Sequence, residues 1–154
     1  MEVKSTLRVI SEKDCKGRRG VTDGQTYQRL VGWPEVLETD RVRLGRATYQ
    51  PGTCEQLHWH PIEACYYVIS GHATVRDING KEFEVSAGSI IYAPAGIAGA
   101  HEWEVKESLE LLDIRATNET HRKIQFTVDK KTMRSYIDLE DLAYREAISF
   151  KSHY

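Results

Sequence analysis

The chain has 154 residues, 40% hydrophobic and 29% charged, enough to bury one core without disulfide or metal staples and with no second folding unit implied. A formal net charge of -2 supplies no pull toward nucleic acid or an anionic membrane, which leaves a small molecule as the expected partner. The start Met-Glu-Val-Lys-Ser-Thr lacks the apolar segment of a secretory signal, and no run approaches the roughly twenty apolar residues of a membrane span, so a cytoplasmic location is expected.

In chain order, the first thirty or so residues show no periodicity, and the basic stretch Cys15-Lys-Gly-Arg-Arg-Gly20 reads as an exposed, solvated loop. The alternative is that Arg18 and Arg19 meet an anionic substrate at a barrel mouth. Short runs punctuated by turn residues follow at 31–37, 42–50, 56–60, 64–70, 73–78, 81–86, 89–93, 101–105 and 109–116. Regular short strands of this kind predict an all-β antiparallel sandwich or barrel. Asn79-Gly80 is the strongest local signal, because a two-residue type I′ turn needs positive φ at both central positions. That loop sets Ile78 opposite Lys81, Arg76 opposite Phe83 and Thr74 opposite Val85, which leaves neither face of the hairpin cleanly apolar. The hairpin is therefore expected near a sheet edge, with an inward reach of Arg76 to a substrate carboxylate as the alternative. Residues 118–123 are polar and loop-like, 124–128 alternate as a strand, and 138–148 read as a short helix. Asp138 is its N-cap, Glu140 and Asp141 lie in its first turn, and its expected place is against the barrel.

His58 and His60 are one residue apart on an extended run, so their imidazoles project from one face, and His101 reaches the same point from another strand. Cys15, Cys54 and Cys65 make an odd count without C-x-x-C spacing and read as free thiols. Cys54 is only a remote candidate ligand. His72, His121 and His153 lie in turns or polar surroundings and are expected to face solvent.

The stretch from Gly52 through His58, His60 and on to Gly71 resembles the first motif of the cupin superfamily, G, five residues, H-x-H, three or four residues, E, six residues, G. Gly88, Pro94 and Gly96 resemble the second, G, five residues, P-x-G, two residues, H. The resemblance covers about 42–116 and has two departures. The glutamate position is Ala64, and the histidine position is Gly99, so His101 comes two residues late after a Gly-Ala-rich loop whose glycines permit the detour. What the resemblance implies is a cupin-type double-stranded β-helix, or jelly-roll barrel, with a short C-terminal helix. It would be one domain over 1–154, with a core barrel at about 42–116, an N-terminal arm at 1–41 and a C-terminal extension at 117–154.

It also implies one divalent metal on His58, His60 and His101. Glu63 adjoins the missing glutamate and becomes a fourth ligand if a bulge at Pro61 shifts the strand parity. Tyr66, on the His58 and His60 parity, and Trp103, two residues past His101, are expected to line a substrate pocket, with Gln56 and Tyr92 behind them. Three neutral imidazoles leave positions open for water or substrate, as catalytic sites require. Among cupins such centres occur in iron dioxygenases, and related sites with other metals occur in cyclases, isomerases and lyases. The expectation is a metal-dependent enzyme acting on a small organic molecule, with a non-haem iron dioxygenase first and Fe(II) as its metal; Zn, Mn or Ni are the alternatives. An oxygen-independent isomerase, cyclase or lyase comes second, and a non-catalytic ligand-binding or sensory cupin third. Because sheet edges need covering and two-fold dimers are the commonest oligomers, a homodimer is expected, with 31–37 or the 138–148 helix at the contact.

Overall fold

A computed structural model describes residues 3–116 and 124–138. Its strands, all paired antiparallel, are β1 (Gly17–Arg19), β2 (Gln25–Val31), β3 (Arg43–Tyr49), β4 (Cys54–Trp59), β5 (Ala64–Ser70), β6 (His72–Asp77), β7 (Glu82–Ser86), β8 (Ile90–Ala93), β9 (His101–Val105), β10 (Leu109–Arg115), β11 (Phe126–Asp129) and β12 (Arg134–Tyr136). They form two six-stranded sheets in the orders β1-β2-β3-β10-β5-β8 and β12-β11-β4-β9-β6-β7. The antiparallel sandwich expected from the strand pattern is met, as is the jelly roll that the resemblance implies. No helix among the described residues is long and apolar enough to cross a membrane.

The core lies between the sheets because alternate residues of each strand point inward. Ala47, Ala64, Val68, Leu109 and Leu111 come from one sheet, and Ala73, Val75, Val85, Trp103 and Val105 from the other. On β10 the inward row runs Leu109, Leu111, Asp113, Arg115, and all four are buried. One end of the barrel is thus apolar and the other carries charge.

Several expected elements differ in detail. The 73–86 hairpin forms, but around a three-residue loop: the Gly80 N–H donates to the Asp77 carbonyl (3.0 Å), the Asp77 N–H donates to the Lys81 carbonyl (3.0 Å), and Gly80 sits at φ +79°. Asp77 Oδ1 also accepts from the Asn79 and Lys81 amides (2.9 and 3.0 Å), a side-chain turn that recruits one residue more than a type I′ loop. The register moves by one, so Arg76 faces Glu82, Val75 faces Phe83 and Ala73 faces Val85. Ala73, Val75 and Val85 now share the buried face. Arg76 turns outward onto Glu82 and Glu104, both at 2.7 Å, which removes the inward-reaching alternative.

Segment 31–37 is not a strand. β2 ends at Val31 and the chain turns, with the Val36 N–H donating to the Trp33 carbonyl (3.1 Å), because Pro34 cannot take part in a ladder. The strand lies earlier, over Gln25–Val31, and the basic loop contributes the short β1 beside it. β11 occupies the expected 124–128 region, shifted to Phe126–Asp129, while β12 was not anticipated. His72 is half-buried and pairs with Glu84 at 2.7 Å. The helix expected at 138–148 falls outside the described residues beyond Asp138, as do His121 and His153.

Candidate metal centre

His58 near the end of β4 pairs directly with His101 at the start of β9, and His60 follows just beyond β4. All three are buried, and one donor nitrogen from each lies within 4.8 Å of the others. Ring centroids are 4.4 Å apart for His58 and His101 and 5.0 Å for His58 and His60. Backbone carbonyls, which only accept, decide the tautomers. The Nδ1–H of His58 donates to the Gln56 carbonyl (2.7 Å) and that of His101 to the Gly99 carbonyl (2.8 Å), which leaves both Nε2 lone pairs facing the common point. His60 Nε2 faces two donors, Tyr66 OH and Arg115 Nη2, each at 3.5 Å. Burial, then the Arg115 charge, holds His60 well below the usual imidazole pKa, while burial and then His58 pull His101 down to about 3. Neutral imidazole is the ligand form, so the donor set fits a divalent metal ion.

His101 gains its place from the loop before β9. Gly99 occupies the position where the second motif has histidine, and a Cβ there would lie 1.9 Å from the Pro94 carbonyl oxygen. No side chain fits at 99. The chain instead makes a 3-10 turn over Ile97–Gly99 and delivers the next inward residue, His101.

Glu55 was missed by the sequence reading. Between Glu55 and His58 the β4–β9 register slips: Glu55 faces Trp103 and His58 faces His101, three residues on β4 against two on β9. That bulge reverses the alternation. Glu55 therefore points inward with the histidines, while Gln56, expected in the pocket from strict parity, is exposed. Glu55 is 7% exposed, with Oε1 3.6 Å from His58 Nε2. Tyr49 OH donates to Oε2 (3.2 Å) and itself accepts from Gln25 Nε2 (2.7 Å). Burial pushes the Glu55 carboxyl up, against the lowering influence of His101, the Tyr49 and Gln125 hydrogen bonds and Arg115.

On the far side of His60 stands a second buried cluster. Arg115 Nε donates to Asp113 Oδ1 (2.7 Å), and Tyr27 OH (3.0 Å) and Arg43 Nη2 (3.4 Å) donate to Asp113 Oδ2. Burial alone would raise the Asp113 pKa, but Arg115 and Arg43 bring it below the usual carboxylate value. Arg115 Nη2 reaches Tyr66 OH at 3.3 Å, and that hydroxyl is 3.3 Å from His101 Nε2.

Of the expected pocket residues, Tyr66 lies in the cavity at the histidines. Trp103 does not; it is a core residue packed behind, with ring centroids 5.5 Å from Tyr66 and 6.2 Å from His101. Tyr92 is 58% exposed on the outer face of β8, and Glu63, also exposed, hydrogen-bonds with it. The β5–β8 register is regular from Ala64 to Tyr67. Ala64 pairs with Ala93 in regular register and points inward, so its neighbour Glu63 points away from the centre and is no fourth ligand. Cys54 is exposed with its thiol on the Gly52 carbonyl, which removes it as a ligand.

Residues 45–115 match the family model described as cupin domain. Over this segment the chain is similar to the cupin domain, in agreement with the fold and with the motifs around His58 and Gly88. An uncharacterized protein of Streptomyces coelicolor is 24% identical over 107 residues, 69% of this chain and 92% of that protein. Among solved structures, the polyketide cyclase RemF of Streptomyces resistomycificus has a TM-score of 0.68 at 20% identity, covering 92% of this chain and 94% of its own. The oxalate decarboxylase of Bacillus subtilis, with Mn(II) centres, has a TM-score of 0.61 at 21% identity, covering 95% of this chain and 39% of its own. At these identities the likeness is one of fold.

Proposed function

We propose that the protein is a metal-dependent enzyme that moves a proton on a small, oxygen-rich organic molecule, in the isomerase, cyclase or lyase class rather than as a dioxygenase. The observation that carries this reading is the Glu55 carboxyl, buried in the same cavity as the histidines and 3.6 Å from His58 Nε2. His58, His60 and His101 would hold a divalent ion without a carboxylate to offset its charge, and it would supply Lewis acidity toward a carbonyl or hydroxyl oxygen. Fe, Zn, Mn and Ni all remain compatible with this donor set, and metal analysis of protein purified without added metal identifies the one used.

Glu55 Oε1 is placed to take a proton from the atom next to that oxygen. Tyr49 and Gln125 fix its orientation in the cavity. Across the cavity Arg115 and Tyr66 offer donors to negative charge developing on substrate oxygen. A fold neighbour named as a polyketide cyclase and another named as an oxalate decarboxylase support a reading in this part of the superfamily. The dioxygenase reading shares the donor set but gives Glu55 no task.

Proton exchange into D2O tests the proposal, with pyruvate and acetylacetone as probes and NMR as the readout, on protein loaded with each metal in turn, under argon and in air. The expected result is metal-dependent exchange, equal in both atmospheres, that falls at least about 100-fold in Glu55→Gln. Oxygen uptake matching probe loss would restore the dioxygenase. Probe binding with neither exchange nor turnover would favour a sensor.

A further inference from the structure

We infer that the cavity beside the histidines takes an organic carboxylate of about single-ring size, with its carboxylate docked on Arg115. The inference deepens the proposed function by naming a substrate class for the same cavity, but it does not depend on the proton transfer assigned to Glu55.

Arg115 comes off the charged end of the β10 inward row, and its side chain is only 5% exposed. Nε is spent on Asp113 and Nη2 is directed at Tyr66 OH and His60, yet Nη1 is buried without a hydrogen-bond partner among the described residues. A guanidinium donor shut away from water in this state is a costly feature unless something in the cavity accepts from it. Asp113 receives Arg115 through Nε, with Arg43 and Tyr27 on its other oxygen, and does not accept from Nη1. A carboxylate entering beside Arg115 would supply such an acceptor once the guanidinium turns toward it.

The charge around the cavity has the matching sign. Five guanidiniums line it, Arg18, Arg19, Arg29, Arg43 and Arg115, against two carboxyls, Glu55 and Asp113. In a chain of net charge -2 this is a local concentration of positive charge, focused between low-dielectric walls, and it draws anions inward. Two of these guanidiniums are held in place: the buried Trp33 ring centroid is 5.2 and 5.4 Å from the guanidinium carbons of Arg29 and Arg43, and Arg29 is tied to Glu35 at 2.7 Å.

Apolar groups complete the lining, with Ala47 and Leu111 on the floor of the sandwich and the rings of Tyr27, Tyr49 and Tyr66 on the walls. The cavity volume of about 90 Å³ is several times the roughly 10–15 Å³ that one water requires, which suits a ring rather than a lone ion. A planar carboxylate also matches the guanidinium fork and avoids placing a phosphate dianion beside Glu55.

Calorimetric titration of the protein as purified tests this with benzoate, cyclohexanecarboxylate, the neutral isostere benzamide, and inorganic phosphate. At least one carboxylate should bind at least about tenfold more tightly than benzamide and than phosphate. Arg115→Lys keeps a charge near Asp113 but loses the fork; it should weaken carboxylate binding at least about tenfold and leave benzamide unchanged. Because that variant risks misfolding, the exposed pair Arg18→Gln with Arg19→Gln serves beside it and should slow carboxylate association and flatten its salt dependence. Equal binding of benzoate and benzamide, phosphate binding as tight as the carboxylates, or no carboxylate binding below roughly 10 mM each overturns the inference. Carboxylate selectivity that survives while no proton exchange is found sinks the proposed function alone; exchange without such selectivity sinks this inference alone.

Discussion

Replacing Asp113 by Ala strips the carboxylate from between two guanidiniums whose side chains are 5% and 11% exposed, and it strands the Tyr27 hydroxyl as well. Removing one partner of a buried ion pair typically destabilises by about 3–5 kcal/mol, because the remaining charge stays desolvated and uncompensated. A chain of this size loses about 2–4 °C of melting temperature per kcal/mol, so the expected drop is roughly 6–20 °C. Thermal and urea melts followed by circular dichroism at pH 7 measure it. The pH dependence has a definite sign. Arg115 and Arg43 depress the folded-state pKa of Asp113 despite its burial, so its stabilisation is present above the unfolded value of about 3.9 and is lost as the pH falls through the depressed folded value. The gap between the melts of wild type and Asp113→Ala should start to narrow as the pH falls below about 4 and close only below the depressed folded value. Pairing Asp113→Leu with Arg115→Met should recover part of the loss, since an apolar replacement removes the desolvation cost along with the attraction. A drop smaller than about 2 °C for Asp113→Ala at pH 7 would refute the buried-pair account.

His101→Ala should reduce metal content at least about tenfold by elemental analysis, as removing one of three donors leaves a two-point site, and unchanged occupancy would exclude the late histidine as a ligand. Glu63→Gln should leave metal content within error of wild type, because Glu63 faces solvent beside Tyr92; a sharp loss would contradict the regular β5–β8 register. Gly99→Ala must displace the Pro94 carbonyl and with it the turn that carries His101, so metal affinity should fall together with about 1–3 kcal/mol of stability, measured by metal titration and urea melts. The expected homodimer is checked by light scattering, where a mass near the monomer's 17.6 kDa at micromolar concentration would rule it out.

Much of the protein was legible in its residues because the signals are local. Short apolar alternations between turn residues named the all-β class, and the spacing of His58 and His60 after Gly52, with Pro94 and Gly96 before His101, pointed to three imidazoles on one centre. Those features depend on neighbours within a few residues, and alternation carries them into the barrel. What the sequence could not state was parity across irregularities. One extra residue between Glu55 and His58 exchanged Gln56 for Glu55 at the site, and one extra residue in the Asp77–Lys81 loop turned Arg76 outward and gave the hairpin its buried face. Each slip depends on the partner strand: on β9 for the first, and on the Asp77 side-chain turn closing β6 against β7 for the second. The Arg115, Asp113, Arg43 and Tyr27 cluster was equally hidden, because its members lie on β10, β3 and β2 and become neighbours only when those strands pair. A side-chain period of two makes the inward set certain wherever a strand is regular and reverses it at each bulge, and where a bulge falls is decided by strand pairing across the sheet.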